Sequence, residues 1–126
     1  MVQKEFTYKG KKVEELVKMS LAELATMMHS DARRRIIRLS DADKKLIKKI
    51  ENCKKPVKTH RRNMIILPTF VGKTVMIHGG KEYQQVVITP EMIGHWLGEY
   101  ALTRKRVGHS APGVGATRSS SNLSVK

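Results

Sequence analysis

The first half of the chain spaces its apolar residues as amphipathic helices do. Ser20 stands three residues before Glu23, an order in which each side chain can bond a free backbone N–H at a helix start, and the residues that follow predict a helix over about 21–28. Ser40 offers a second N-cap, and the leucine and isoleucine residues after it predict a helix over about 41–52. One face of each helix should therefore lie on a core.

Two basic segments interrupt this helical pattern. Residues 29–41, HSDARRRIIRLSD, contain four arginines, and residues 52–63, NCKKPVKTHRRN, contain a proline and five Lys or Arg residues without an acidic one. We therefore predict a basic loop for the first segment and a basic connector for the second.

The second half of the chain changes to short runs that are rich in β-branched residues. The runs MIIL (64–67), TVMIH (74–78) and YQQVVI (83–88) predict three strands. Because Gly79-Gly80 lies between the last two runs, these two strands should form a hairpin.

A short helix and a basic tail are predicted after the strands. Thr89 precedes Pro90 and Glu91, two residues that favour a helix start, so PEMIGHW (90–96) should form a short helix. The segment TRKRVGHSAPGVGATRSSSNLSVK (103–126) has no acidic residue and few large apolar ones. It cannot build a core, so it is either disordered or an arm that becomes ordered against an anionic partner.

These elements together predict an α+β protein. Its architecture should be a small three-stranded sheet with N-terminal helices, a short C-terminal helix and an extended basic tail. The predicted divisions are a helical region with its basic connector at 1–62, the sheet and short helix at 63–102, and the tail at 103–126.

The charge of the chain indicates a polyanionic partner. The 25 Lys and Arg against 11 Asp and Glu give a formal charge of +14, which nucleic acid or an anionic membrane surface would offset. No apolar run approaches the ~20 residues of a membrane span, and the charged N-terminus lacks the pattern of a secretion signal.

A single cysteine excludes an internal disulfide, and five scattered histidines lack metal-ligand spacing, so we expect neither a metal nor another cofactor.

The stretch Gly72-Lys73-Thr74 looks like the end of a nucleotide-binding phosphate loop, but the rest of that motif is missing. Such a loop needs glycine five positions before Gly72, where this chain has Leu67, and a helix where this chain has a predicted strand. We therefore expect Gly72 to be a turn residue and Lys73 to be a solvated or RNA-facing cation.

No serine, cysteine or carboxylate motif supports a catalytic site at the histidines, so we do not expect an enzyme.

The basic runs ARRRIIR, KKPVKTHRR and LTRKRVGH favour RNA as the partner. One charged run is usually a solvated face, whereas three acid-poor runs in separate loops and the tail indicate an anionic surface touched from several sides. A DNA-binding helix-turn-helix would not need the hairpin or the long arm. Aromatic residues make up only 5% of the chain, and we expect no pair of rings on the strands, so we predict recognition of the backbone and shape of folded RNA.

The segment THRRNMIILPTFVGKTVMIHGGKEYQQVVITPEMIGHWLGEYALTRKRVGH (59–109) resembles the S19 family of small-subunit ribosomal proteins, above all in MIGHWLGEYALTR. YKGKKVEELVKMSLAEL (8–24) and HSAPGVGATRSS (109–120) are similar to the archaeal and eukaryotic branch of that family. The resemblance implies an α+β domain on small-subunit rRNA in the head of the cytoplasmic small ribosomal subunit. It also implies a tail that extends toward the decoding region and tRNA, the S13 family as a neighbour, and the large subunit nearby.

The resemblance and the basic runs together give the predicted contacts. For rRNA binding we expect Arg61, Arg62, Lys73, His78, Lys81, Arg104, Lys105 and Arg106. For the tRNA-facing tail we expect His109 and Arg118. The resemblance implies that His95 and Glu99 are hydrogen-bonding groups that fix the short helix and its junction with the tail. We expect Trp96 and Leu97 to pack that helix onto the sheet, with Trp96 either buried or at a protein neighbour. A free-standing basic RNA-binding chaperone is the alternative function.

Overall fold

The computed structural model describes residues 5–108 and residue 113 of the chain. Within these residues an antiparallel hairpin is followed by helices and a three-stranded sheet. The elements are β1 (Thr7–Tyr8), β2 (Lys11–Lys12), α1 (Val13–Lys18), α2 (Leu21–Met27), α3 (Ser30–Ile37), α4 (Asp41–Asn52), β3 (Val57–Thr59), β4 (Thr74–His78) and β5 (Tyr83–Val87). Short 3₁₀ turns lie at Pro68–Phe70, Pro90–Met92 and Leu97–Tyr100. The predicted α+β class is confirmed.

Both predicted helices of the first half form, and both begin at the predicted caps. Ser20 Oγ accepts a hydrogen bond from the backbone N–H of Glu23 at 3.3 Å, and the Glu23 carboxylate accepts one from the N–H of Ser20 at 2.9 Å. Ser40 and Asp43 make the same reciprocal pair at the start of α4. These bonds satisfy N–H groups that a helix start leaves free.

The loop predicted for residues 29–41 is wrong, because most of it forms α3. Only Ala32 and Ile36 of this helix are buried. Two apolar residues among several charged ones do not give a recognisable helical period in the sequence. Arg33 fastens α3 to α2 by donating hydrogen bonds of 3.1–3.3 Å to the carbonyls of Ala25, Thr26 and Met28. The basic cluster therefore includes a residue, Arg33, that supplies hydrogen-bond donors to free backbone carbonyls at the C-terminal end of α2.

The β1–β2 hairpin and α1 also lie outside what the sequence pattern predicts. Each strand has two residues, and α1 buries only Leu16, so neither produces a recognisable apolar period. The turn between the strands has Lys9 at φ 47° and Gly10 at φ 81°. Two successive left-handed residues are the geometry of the tight hairpin turn that matches the twist of its strands.

The third strand of the sheet comes from the basic connector, and the strand predicted at 64–67 is wrong. β3 pairs with β4 in parallel, with Val57 opposite Val75, while β4 and β5 form the predicted antiparallel hairpin. Residues 64–67 instead run through the core with all four side chains 0–1% exposed. A continuously buried segment gives the same apolar run as a buried strand, which explains the misassignment.

One cluster of buried apolar side chains spans the described residues from Leu16 to Ala101. The N-terminal helices contribute Leu16, Leu24 and Met28, and the sheet contributes Val75 and Ile77. The helical region and the sheet therefore share a single core in this part of the chain.

The short helix predicted over 90–96 forms only as the 3₁₀ turn Pro90–Met92, and a second 3₁₀ turn, Leu97–Tyr100, follows it. Gly94 lies between them at φ +85°, a backbone conformation that glycine adopts readily and other residues rarely do. Glu99 accepts a hydrogen bond from the Trp96 N–H at 3.2 Å, and its other carboxylate oxygen lies 2.8 Å from His95 Nδ1. The expected hydrogen bonding by His95 and Glu99 is confirmed, and it fixes the start of the second 3₁₀ turn, whereas their role at the junction with the tail stays a prediction.

Residues 62–66 are joined to residues 94–98 by backbone hydrogen bonds. Ile66 N–H donates to His95 O at 2.8 Å, Leu97 N–H to Met64 O at 2.9 Å, and Gly98 N–H to Arg62 O at 2.8 Å. These bonds satisfy backbone groups of the buried segment that the sheet does not reach.

The guanidinium group of Arg62 reinforces this junction. Its Nη1 donates to His78 O at 2.8 Å, and its Nη2 donates to Gly98 O at 2.7 Å and to Ala101 O. A Cβ at Gly98 would lie 3.0 Å from the Cβ and the carbonyl oxygen of Arg62, so the close approach requires glycine. We call this set of three carbonyl bonds the Arg62 clamp.

The carboxylate of Asp43 is fully buried between α3, α4 and the connector. It lies 2.8 Å from Arg35 Nη2 and 3.1 Å from Arg61 Nη1, and it accepts bonds from the N–H and the hydroxyl of Ser40. Burial alone raises the pKa of Asp43, but the Ser40 hydrogen bonds and the charges of Arg35 and Arg61 outweigh burial and lower it. The ionised carboxylate therefore stabilises the folded state.

We predict that Asp43→Asn lowers the free energy of unfolding by about 1.5–3 kcal/mol at pH 7, because charged hydrogen bonds to two arginines are lost. Since the folded-state pKa lies below the ordinary value of about 3.9, the stabilisation is present above that pH and is lost as pH falls through the folded-state pKa. Urea unfolding of both proteins between pH 7 and pH 2 measures this. The difference between them should shrink at the acidic end.

Asp41→Asn is the matched control for Asp43→Asn, because Asp41 lies in the same helical turn with its side chain 93% exposed. Its effect on unfolding should stay within about 0.5 kcal/mol. Equal effects of the two substitutions would show that the buried network does not stabilise the fold.

We predict that Arg62→Lys lowers the free energy of unfolding by about 2 kcal/mol or more, because one ammonium group cannot satisfy all three carbonyls of the clamp. Arg104→Lys, at an exposed position, is the control and should leave unfolding nearly unchanged. Thermal or urea unfolding of the free protein gives the comparison. An Arg62→Lys protein of unchanged stability but weaker RNA binding would contradict the clamp and assign Arg62 to phosphate contact.

Candidate nucleic-acid interface

The three-stranded sheet has one face on the core and one face in solvent. Along β4, Val75 and Ile77 are fully buried, and Thr74, Met76 and His78 alternate with them on the opposite, partly exposed side. This alternation follows from the pleat of a strand, which points successive side chains to opposite faces. We call the solvent side the outer face.

Three aromatic rings meet at one end of the outer face. The ring centroids of His60 and His78 are 4.3 Å apart, and the Tyr83 ring stands edge-on to both, at 4.9 Å from His78 and 5.4 Å from His60. The Tyr83 hydroxyl lies 2.6 Å from His60 Nε2, and Lys58 Nζ lies 5.3 Å from the centre of the Tyr83 ring. We call His60, His78 and Tyr83 the ring cluster.

The ring cluster corrects the expectation that the strands carry no pair of rings. His78 was among the predicted RNA contacts, but His60, Tyr83 and Lys58 were not. His60 directly follows β3, His78 ends β4 and Tyr83 begins β5, so one ring lies at the end of each strand. No local sequence pattern marks such a cluster, because the pairing of three strands assembles it.

The predicted cations Lys81, Arg104, Lys105 and Arg106 are all exposed, and the first lies in the turn between β4 and β5. Leu102 O accepts a hydrogen bond from Gln84 Nε2 at 3.0 Å, which holds the following segment beside this turn. Lys105 pairs with Glu82 in the turn itself, and this contact lowers the pKa of Glu82 through a hydrogen bond and the Lys105 charge. The structure thus brings this group of cations to the end of the sheet where the ring cluster lies.

Lys73 lies away from this group. It precedes the first residue of β4, whereas His78 is the last, so a strand length of about 16 Å separates them. Lys73 Nζ donates to Glu51 O at 3.0 Å, near the end of α4, where a cation is favourable for the helix dipole. Gly72 has φ +78° and donates its N–H to Ile88 O at 2.9 Å, so its assignment as a turn residue is confirmed.

Arg61 and Arg62 make contacts within the chain. Arg61 shares the Asp43 carboxylate with Arg35 and keeps 41% of its side chain exposed. Arg62 directs its guanidinium to the three carbonyls of the clamp, which leaves it little capacity for a phosphate. His109 and Arg118, predicted for the tail, lie outside the described residues.

Trp96 has one side on the core and the other on a cleft. It is half-buried and packs against the core cluster, whereas Leu97 beside it is fully buried. The cleft is lined by Trp96 together with Asp31, Arg34, Arg35 and Arg38 of α3. Trp96 is therefore both a packing residue and part of an arginine-rich surface.

Other kinds of site are not found in the part of the chain that the structure describes. There, no group of three or more His, Cys, Asp or Glu residues is placed to hold a metal ion. No helix in the described part has the length and apolar content to cross a bilayer.

Comparison with known proteins identifies the family of the chain. The profile of the family described as ribosomal protein S19 matches residues 34–109. The chain is 52% identical over 124 residues to the small ribosomal subunit protein uS19 of Thermoplasma acidophilum, an alignment that covers 98% of this chain and 82% of that protein. It is 51% identical, with the same coverage, to the proteins of that name from Thermoplasma volcanium and Picrophilus torridus. The chain therefore belongs to the ribosomal protein S19 family.

Proposed function

We propose that this protein is a structural constituent of the head of the small ribosomal subunit and binds small-subunit rRNA. The observation that carries the proposal is the cluster of exposed cations at one end of the sheet, formed by Lys81 and residues 104–106. Relatives over nearly the whole chain are named as small ribosomal subunit proteins, which supports the ribosome as the place of action. The S19 family is a family of ribosomal proteins and not a class of enzymes.

The cations act on the phosphodiester backbone of the RNA. Each Lys or Arg that neutralises a phosphate releases a condensed counterion, and this release supplies much of the binding free energy. Arg104 and Arg106 can each present two parallel N–H groups to one phosphate, whereas Lys81 acts as a point charge. With a formal charge of +14, the chain also approaches RNA faster than a neutral protein would.

The tail from residue 109 onward is the part that we assign to tRNA. His109 and Arg118 face tRNA near the decoding region in this proposal, and the rest of the domain sits on rRNA between neighbouring head proteins, chiefly of the S13 family. The large subunit lies nearby. Support comes from the basic, acid-free composition of the tail and from the resemblance of residues 109–120 to the archaeal and eukaryotic branch.

Sedimentation of cell extract tests the proposal against a free-standing RNA chaperone. The protein should sediment almost entirely with small subunits and whole ribosomes at moderate salt. A pool that stays mainly at the top of the gradient would overturn the ribosomal role.

We predict that the affinity of the purified protein for small-subunit rRNA falls steeply with salt. Each phosphate contact contributes about 0.9 to the slope of log affinity against log salt on double-helical DNA, and a contact on RNA should contribute a similar amount, so Lys81→Ala and Arg104→Ala should each reduce the slope by about 1. A filter-binding titration at several salt concentrations measures it. Lys44→Ala is the charge-matched control, because Lys44 lies in α4 beside residues of α2. A flat titration, or equal effects of all three substitutions, would contradict the proposed surface.

We predict that deletion of residues 109–126 leaves the thermal unfolding of the free protein nearly unchanged, because the buried core of the described residues ends at Ala101. Small subunits reconstituted with the truncated protein should bind tRNA more weakly than subunits with the full chain. Protein-free and full-chain subunits serve as the two references. Unfolding of the truncated protein would assign the tail to the core and contradict the arm.

A further inference from the structure

We propose that the outer face of the β3–β4–β5 sheet is a binding site for unpaired nucleobases of RNA, with the ring cluster as its stacking platform. The inference rests on the proposed function, which makes RNA the partner. It adds that the bound part of the RNA is a set of bases outside a double helix. It concerns residues that charge and sequence pattern do not single out, namely His60, Tyr83 and the polar residues beside them.

The register of the sheet places the three rings in one row. Thr59 lies opposite Ile77 in the parallel pair, so His60 comes next to His78, and His78 lies directly opposite Tyr83 in the antiparallel pair. The row therefore crosses all three strands at the end where the cations lie. Side chains in such a row are neighbours across the strands. The two histidine rings lie at 31° to each other, and the Tyr83 ring stands edge-on beside them.

A second row extends the platform along the strands. Lys58 lies opposite Met76, and Met76 lies opposite Gln85. Lys58 can neutralise a phosphate, the methionine supplies an adaptable apolar contact, and the Gln85 amide can bond a base edge that is free of a pairing partner. The outer face thus offers stacking, charge and hydrogen bonding within two adjacent rows.

The outer face is open to solvent in this structure. Lys58, His60 and Gln85 are exposed, and Val87, on the same side of β5, is 54% exposed. The other side of β4 is fully buried, and the inner-facing Gln84 and Val86 of β5 are less exposed than Gln85 and Val87. An exposed sheet face with aromatic side chains is the arrangement by which several RNA-binding modules stack bases.

The ring cluster is held in place before any partner arrives. The Tyr83 hydroxyl contacts His60 at 2.6 Å, and the N–H of Gly80 donates to His78 Nδ1 at 3.2 Å. The Arg62 clamp fixes the backbone of His78 through its carbonyl. A base that stacks here therefore does not need to order these side chains, and ordering is a large part of the cost of binding.

Charge and ring geometry favour RNA over an acidic protein segment as the occupant. The exposed faces of aromatic rings contribute stacking energy with any base, whereas an acidic peptide gains little from them. Lys58 Nζ lies 5.3 Å from the centre of the Tyr83 ring, and the exposed Lys81 lies in the turn two residues before Tyr83, so a cation for the phosphates of a stacked nucleotide is near the rings. Paired RNA presents its bases only inside the helix, so the platform selects bulged or single-stranded nucleotides.

Two RNA hairpins of equal length and phosphate number test the inference with the purified full-length protein. One carries a bulge of two unpaired adenosines, and in the other the same nucleotides are paired. The bulged hairpin should bind about five-fold or more tightly, as expected for one or two stacked bases. In NMR spectra, the ring protons of His60 and Tyr83 should shift upfield with the bulged hairpin and not with the paired one.

His60→Ala should remove the preference for the bulge and leave the salt slope of binding unchanged. His95→Ala is the matched control, because His95 is also an exposed histidine but pairs with Glu99 outside the sheet. Tyr83→Phe keeps the ring and loses the hydroxyl contact with His60, so the preference should fall only in part. Lys81→Ala should weaken both hairpins equally, since it removes a phosphate contact.

Several results would overturn the inference. If both hairpins bind equally while salt dependence and sedimentation with small subunits persist, the stacking platform is wrong and the proposed function stands. If the protein does not sediment with small subunits, the proposed function fails whatever the hairpins show. If His60→Ala keeps the preference for the bulge but does not enter subunits, the outer face contacts a protein.

Discussion

One guanidinium group joins parts of the chain that lie far apart in sequence. Arg62 bonds the carbonyls of His78, at the end of β4, and of Gly98 and Ala101, which lie in and just after the 3₁₀ turn at Leu97–Tyr100. Buried backbone carbonyls need hydrogen-bond donors, and the guanidinium group supplies one to each of these three. A planar group with five donors serves all three at once, and its charge strengthens each bond. The position of the ring cluster relative to the core depends on this arrangement.

The negatively charged carboxylate of Asp43 joins a different set of elements. This ionised carboxylate connects α3, α4 and the connector. Arg35 and Arg61, two arginines of the basic runs, pair with it and are therefore less available to a partner. Part of the high positive charge is therefore structural. Among the cations left for a partner, Lys81 and residues 104–106 are exposed beside the ring cluster, and Arg34 and Arg38 are exposed on α3 and at its C-terminal end.

The sequence predicts those elements that local chemistry specifies. α2 and α4 are predictable because a capping serine and an apolar stripe occur together, and the β4–β5 hairpin because two glycines separate two β-branched runs. β3 is not predictable, because its three residues are tied to β4 by a parallel pairing across a long connection. For the site, the cations of the turn are visible in the sequence, but the ring cluster is not, since its members come from three strands. The internal roles of Arg61 and Arg62 are equally invisible, because a list of basic residues does not show which of them face carbonyls and carboxylates.

The order in which the chain is synthesised gives the Arg62 clamp a further consequence. Arg62 and the apolar residues 64–67 leave the synthesising ribosome well before Ala101, whose carbonyl completes the clamp. During that interval the nascent chain exposes a strongly apolar run next to a strongly basic one, and backbone groups destined for residues 94–98 are unpaired. Such a combination promotes aggregation and indiscriminate contact with nucleic acid. The newly made protein is therefore most vulnerable in the interval before residue 101 emerges, and rapid folding after that point limits the time for which the apolar run is exposed.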